Sequence, residues 1–323
     1  MPPLLRCLSV LLGLALAMPA AGADRRIAIT IDDLPWQRIG QTPAAELQAR
    51  HERLVAGLAR AGVPVVGFVN EGKLEVDGRV DPARVAMLRD WLEAGHELGN
   101  HTHGHVDLHA VGLDAFQQDV LRGERVLRPL LAGYRTSPRW FRHPYLRAGR
   151  SAPERAALSA FLDQHGYRIA PVTVDNSEWI WALAYATVLD GQPATAQRDA
   201  TLERIRRGYV PYMLNKVDYF EQQSRDLLGY ALPQVWLLHA NELNADTFAG
   251  LVAGAERRGY RLVSLEEALR DPAYGRGEAG YDGPRGPSWL HRWALGEGRP
   301  AAFFAGEPVV PAWVLELAGI EEE

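Results

Sequence analysis

Ile27-Ala28-Ile29-Thr30-Ile31 is a short, β-branched, apolar run, and two carboxylates, Asp32 and Asp33, follow it directly. Such a run reads as a buried strand closed off by polar residues. Outward from it the unit recurs. Residues 44–60 read as a helix that ends near Gly62, and 64–69 as a second strand. Asp81 and Pro82 mark a helix start, as cap and first turn, and Gly95 marks its stop. Residues 97–100 form a short strand, 113–131 a helix, 139–141 a strand, 153–164 a helix and 168–174 a strand. Helices are expected at 194–207 and 219–228, then a strand at 235–238, a helix at 246–257 and a strand at 261–263. Ser264 and Glu267 form a capping box that opens a last short helix.

Strand-then-helix alternation argues for parallel strands joined by helical crossovers. About seven units predict an α/β fold, an irregular (β/α) barrel of about seven parallel strands, with a doubly wound open sheet as the alternative. Residues 272–311 are rich in Gly and Pro and break the alternation; they carry Trp289 and Trp293, with Trp313 just beyond. They read as a C-terminal extension packed on the barrel. The expected division is a leader at 1–23, a catalytic domain at 24–272 and the extension at 273–323.

Polar residues able to do chemistry stand where the strands end. Asp32 and Asp33 follow the first, His101 follows 97–100, Arg142 follows 139–141, Asp175 follows 168–174, and His239 follows 235–238. In a parallel barrel those ends share one face, and the active site sits on that face. Asn70, Asn241 and Glu242 also follow strands and could line a groove there.

Gly99-Asn100-His101-Thr102-His103-Gly104-His105 places His101 and His105 four residues apart. On a helical turn that spacing sets both rings on one face; Gly104 weakens the helix, but a tight turn does the same, with His103 pointing away. A catalytic metal site needs a third ligand and open positions, and Asp33 suits that place. Asp32 would then stay free as a base. Two imidazoles and one carboxylate accept zinc, cobalt, nickel or manganese, and also non-haem iron, which leaves an oxygenase as one rival.

The 323 residues carry a net charge of -5 and a pI near 6.1, without the basic footprint of a nucleic-acid-binding protein. Arg6, the apolar stretch 8–18 and Ala21-Gly22-Ala23 read as a signal peptide, too short for a membrane span. The expectation is export to the periplasm or beyond, with no stable membrane insertion after cleavage. The single cysteine, Cys7, falls in that leader, so a mature chain from Asp24 can use neither disulfides nor thiol catalysis.

At this point the chain resembles the polysaccharide deacetylase (NodB-homology) family, carbohydrate esterase family four, over about residues 27–272. Thr30-Ile31-Asp32-Asp33 is similar to its first motif, His101-Thr102-x-x-His105 to its second, Arg142-His143-Pro144-Tyr145 to its third and Leu237-Leu238-His239 to its fifth. The resemblance implies that Asp32 is the base and that Asp33, His101 and His105 hold one divalent ion, zinc first. It implies that Arg142 orients Asp32, that the Tyr145 amide helps hold the oxyanion, and that Leu237 lines the acetyl pocket. His239 would be the general acid. The fourth motif, an aspartate directly followed by tryptophan, is matched loosely: Asp175 precedes Asn176, and the tryptophan comes at Trp179. Asp175 is expected to tune His239, with Trp179 on the groove wall. The implied function is hydrolysis of acetyl groups from an acetylated glycan. The rivals are a hydrolase of a small cyclic amide on the same fold, a non-catalytic carbohydrate-binding protein of the envelope, and the iron oxygenase.

Overall fold

The computed structural model describes residues 24–191, 193–276 and 281–323. The expected leader at 1–23 lies outside them. β1 (Arg25–Leu34) is followed by α1 (Ala44–Ala59), β2 (Val66–Val69), a hairpin of β3 (Glu75–Val76) and β4 (Arg79–Val80), α2 (Pro82–Glu93) and β5 (Glu97–Asn100). Next come α3 (Leu108–Val111), α4 (Leu113–Arg122), α5 (Leu127–Gly133), β6 (Trp140–Phe141), α6 (Ala152–Gln164) and β7 (Arg168–Ile169). The second half holds α7 (Glu178–Gly191), α8 (Ala196–Leu228), β8 (Gln234–His239), α9 (Glu242–Arg257), β9 (Tyr260–Leu262), α10 (Leu265–Ala268), α11 (Trp289–Gly296) and α12 (Ala312–Ala318).

The main sheet runs β7-β6-β5-β2-β1-β8, with β9 beside the start of β1, and its pairings are parallel. Beyond β7 the chain swings across to β8. There the Thr173 and Val174 amides donate to the Val235 carbonyl at 3.1 and 3.0 Å, and Val174 pairs with Trp236. The sheet thus curls until its two ends meet, which makes it the irregular barrel and not the open sheet.

Strand parity explains what fills the barrel. Side chains two apart share a face, and Ala28, Val66, Phe68, Trp140 and Val235 form one buried cluster. Each large apolar member contributes about 1.5–3 kcal/mol by leaving water. Gly99 is the small partner this packing needs, since a Cβ there would lie 2.7 Å from Phe68 Cε1 and 2.9 Å from the Trp140 carbonyl. Continued toward the strand ends, the same parity carries Thr30, Asp32, His101, Arg142, Leu237 and His239 to one rim.

Several elements differ from the sequence expectation, among them the strand expected over 168–174, of which only Arg168–Ile169 pairs as a strand. The helix expected over 113–131 is two helices, α4 and α5, broken at Gly123. The helices expected at 194–207 and 219–228 are one helix, α8, which runs through Pro211. A proline inside a helix costs about 3 kcal/mol. Burial of Leu202, Ile205, Met213, Val217 and Phe220 on the same helix outweighs that, at about 1.5–3 kcal/mol each. α7 was not expected. It buries Ile180, Trp181, Ala184, Tyr185 and Val188, and a helix enclosed by α8, α9 and α12 shows no amphipathic stripe to read. In the C-terminal stretch, Trp289 and Trp293 are buried, and Trp313 packs edge-on to Trp181 at 5.7 Å beneath the Arg204 guanidinium.

Candidate active site

Asp32 and Asp33 are neighbours on one strand, so regular pleating would send them to opposite faces. The β1–β2 register shifts between Ile31 and Leu34, which is a bulge at these two residues. Asp33 takes a left-handed backbone, φ 71°. A bulge re-aims a side chain in this way, and both carboxylates end up beside the same cavity.

His101 and His105 leave β5 on an irregular turn, not a helix, with Thr102 at φ 66° and His105 at φ 51°. The rings meet edge to face at 4.9 Å, while His103 turns to Glu75, 3.4 Å away. Ligand-capable atoms of Asp33, His101 and His105 all lie within 4.8 Å of one another. His101 Nδ1 donates to the Arg142 carbonyl at 2.8 Å, which leaves Nε2 as the free donor atom. An outer carbonyl that sets the tautomer is the usual support of a metal-binding histidine. Burial first, and then the neighbouring His105, push the His101 imidazole well below its usual range, so it is neutral. Asp33 works against its own burial: Lys73, 3.4 Å from Oδ1, and His105 hold its carboxyl below the usual range. Asp33 Oδ1 is buried and accepts no hydrogen bond among the described residues. Two neutral or neutralisable imidazoles, one ionised carboxylate and an orphaned oxygen fit a single divalent ion.

Arg142 is fully buried beneath Asp32. One nitrogen donates to Thr30 Oγ1 at 2.9 Å, another stands 3.5 Å from Asp32 Oδ2, and the guanidinium lies over the Phe68 ring. The Arg142 charge favours an ionised Asp32. Burial outweighs it, and the Asp32 carboxyl is pushed up to about 6 despite Arg142 and His239. That is the range a general base at neutral pH needs.

His239 pairs in register with Asp32 across β1 and β8. Its Nδ1 meets Glu178 Oε2 at 2.5 Å. Glu178 is fully buried, and its other oxygen accepts from Asn241 Nδ2 at 2.5 Å and Asn244 Nδ2 at 2.9 Å. Burial disfavours the imidazolium, but Glu178 overcomes it, and the His239 pKa rises to about 9. This corrects the role expected for Asp175. Asp175 accepts from the Asn176 amide, and the charges that act on it are Lys216, Glu307 and Arg292; it also acts on Arg142. Strand-end reasoning stopped one turn too early. The signal was present, because Glu178 is the acid directly followed by Trp179.

These residues open into a cavity of about 760 Å³. Leu237, Tyr145 and Trp179 line it, the last two largely exposed. So do Gly286, Pro308 and Val309 from the C-terminal stretch, and Lys216, which is buried and ion-paired to Glu307 at 2.7 Å. Asn70 supports the histidine turn by donating to the His101 carbonyl at 2.6 Å, and Glu242 accepts from Thr42 at 2.7 Å.

Residues 20–168 match the family model described as polysaccharide deacetylase. Asp32, Asp33, His101, His105, Arg142 and Tyr145 lie within that span; Glu178, Leu237 and His239 lie beyond it. No curated protein matches the chain. Among solved structures, a mutant of a CE4 family pseudoenzyme with restored enzymatic activity is similar at 16% identity and a TM-score of 0.50, over 76% of this chain and 68% of that one. Its wild-type form is from Bacillus anthracis. A peptidoglycan deacetylase from Bacillus subtilis is similar at 17% identity and a TM-score of 0.46, over 78% of this chain and 96% of that one. At such identities the likeness is one of fold. Over residues 20–168 the chain is thus similar to the polysaccharide deacetylase family, on a parallel barrel that agrees with that likeness.

Proposed function

We propose that this chain removes acetyl groups, by amide or ester hydrolysis, from an acetylated polysaccharide or oligosaccharide of the cell envelope. The observation that carries the reading is the cluster of Asp33, His101 and His105 beside buried Asp32, with His239 on the adjoining strand paired to Glu178. Asp33, His101 and His105 would hold one divalent ion, zinc first, with cobalt, nickel or manganese as alternatives. Such an ion polarises water and the acetyl carbonyl. Export through a leader at 1–23, and the division into 24–272 and 273–323, belong to the same proposal.

The remaining steps are the work of side chains. Asp32, held by Arg142, takes the proton of the attacking water as general base. The Tyr145 amide faces the developing oxyanion as a fixed donor. Leu237 gives the methyl group an apolar wall. His239 is protonated at neutral pH and passes its proton to the leaving amine or alkoxide. Glu178 fixes the tautomer of that ring and stabilises its charge. A merely binding protein would not need a base and an acid raised toward opposite limbs of the neutral range.

Acetate release from a panel of chitin oligosaccharide, peptidoglycan and acetylated xylan tests the reading. Release from at least one is expected, and none from any would contradict it. The pH profile carries a finer expectation. Asp32 is active when deprotonated, above about 6, and His239 when protonated, below about 9, so kcat/KM rises and then falls across that window. A dication held by Asp33, His101 and His105 would lower both limbs together. Glu178→Gln removes the charge that holds the His239 proton, so its alkaline limb should move down by more than about one pH unit. Asp175→Asn should leave that limb in place. The reverse pattern would restore Asp175 as the partner of His239.

A further inference from the structure

We propose that Gly286 and Arg292, outside the span matched by the family model, are positioning residues that hold the Tyr145–Leu146 turn in its working shape. The part that concerns catalysis rests on the deacetylase reading. The turn is strained: Tyr145 sits at φ 56°, ψ 16°, and Leu146 at φ 53°, both left-handed and neither a glycine. Each such residue costs about 1–2 kcal/mol, so the pair persists only where its surroundings determine it. Tyr145 lines the catalytic cavity.

The C-terminal stretch supplies the surroundings. A Cβ on Gly286 would fall 1.9 Å from the Tyr145 carbonyl oxygen and 2.8 Å from the Leu146 carbonyl carbon. The backbone at 286 therefore lies directly against the turn, and any other residue would push it away. Arg292 is 2% exposed. Its guanidinium donates to the Leu146 carbonyl and, through Nε, to the Pro287 carbonyl at 3.1 Å, and it packs over the Trp289 ring. The Trp289 amide donates to the Val172 carbonyl at 2.7 Å. The brace is thus fastened to the barrel at Val172 and to the turn at Leu146. A donor displaced by about 1 Å can cost about 10²-fold in rate.

The test is Gly286→Ala in the full chain. The expected result is a kcat reduced about 10- to 10²-fold, with KM within threefold of wild type, metal content unchanged, and faster hydrogen exchange over residues 143–148. Wild-type kcat, or exchange at 143–148 unchanged, would overturn the proposal. If that variant fails to fold, Arg292→Lys answers the same question. It keeps the charge but loses the planar fork, so kcat should fall at constant KM, and a wild-type kcat would overturn the proposal. Exchange is read without substrate. Faster exchange in the variant, with no acetate released by the wild type, would therefore sink the deacetylase reading and leave the brace standing.

Discussion

Asp32→Asn lowers acetate release by about 10²–10⁴-fold, the usual contribution of a general base, and leaves metal content at the wild-type level. The substitution is close to isosteric, so the packing against Arg142 survives. What is lost is the group that accepts the proton. Asp32 suits that work because it is buried with Oδ1 unpartnered, and because its pKa is raised to about 6. A carboxylate that titrated near its ordinary value would be a weaker base. Removing a negative charge from above Arg142 also leaves that buried cation less well paired, so some loss of stability should accompany the loss of rate. Turnover on the best acetylated glycan, beside metal analysis of the same sample, separates the two effects. Full activity in Asp32→Asn would remove the base assignment.

His101→Ala has the opposite signature, in that the metal itself goes. His101 is 2% exposed, and its tautomer is set by the Arg142 carbonyl, which leaves its Nε2 to face the ion. Loss of a supporting partner of a metal ligand already costs about 10–100-fold in affinity, and loss of the ligand should cost more than about 10²-fold on the same scale. Titration of the purified variant with zinc should show that weakening, and acetate release should fall with it. Retention of a tight equivalent of metal in His101→Ala would mean that other residues hold it.

Much of this was legible in the chain because local chemistry wrote it there. The β-branched run 27–31 can be little else than a buried strand, and the strand ends then place Asp32, His101, Arg142 and His239 on one rim by parity alone. What was not legible depended on contacts far apart in sequence. α7 is apolar on most sides, and the fully buried Glu178 at its first turn, apart from the Trp179 that follows it, reads locally as an ordinary helix-start acid. Only the fold shows that it faces His239, 61 residues away. The bulge at Asp32 and Asp33 needed β2 as a reference for its register. The two helices expected at 194–207 and 219–228 are one because the buried face of α8 carries the chain through Pro211. The fit of Gly286 against Tyr145 spans 141 residues, and nothing near either residue announces it.

The most direct test of the account is chelation followed by stoichiometric reconstitution. The protein is stripped with a chelator, assayed for acetate release on an acetylated glycan, and titrated with zinc while activity and bound metal are both measured. The account predicts no release from the stripped protein and recovery that saturates at one equivalent of metal per chain. Undiminished acetate release from protein shown to be free of metal would contradict it.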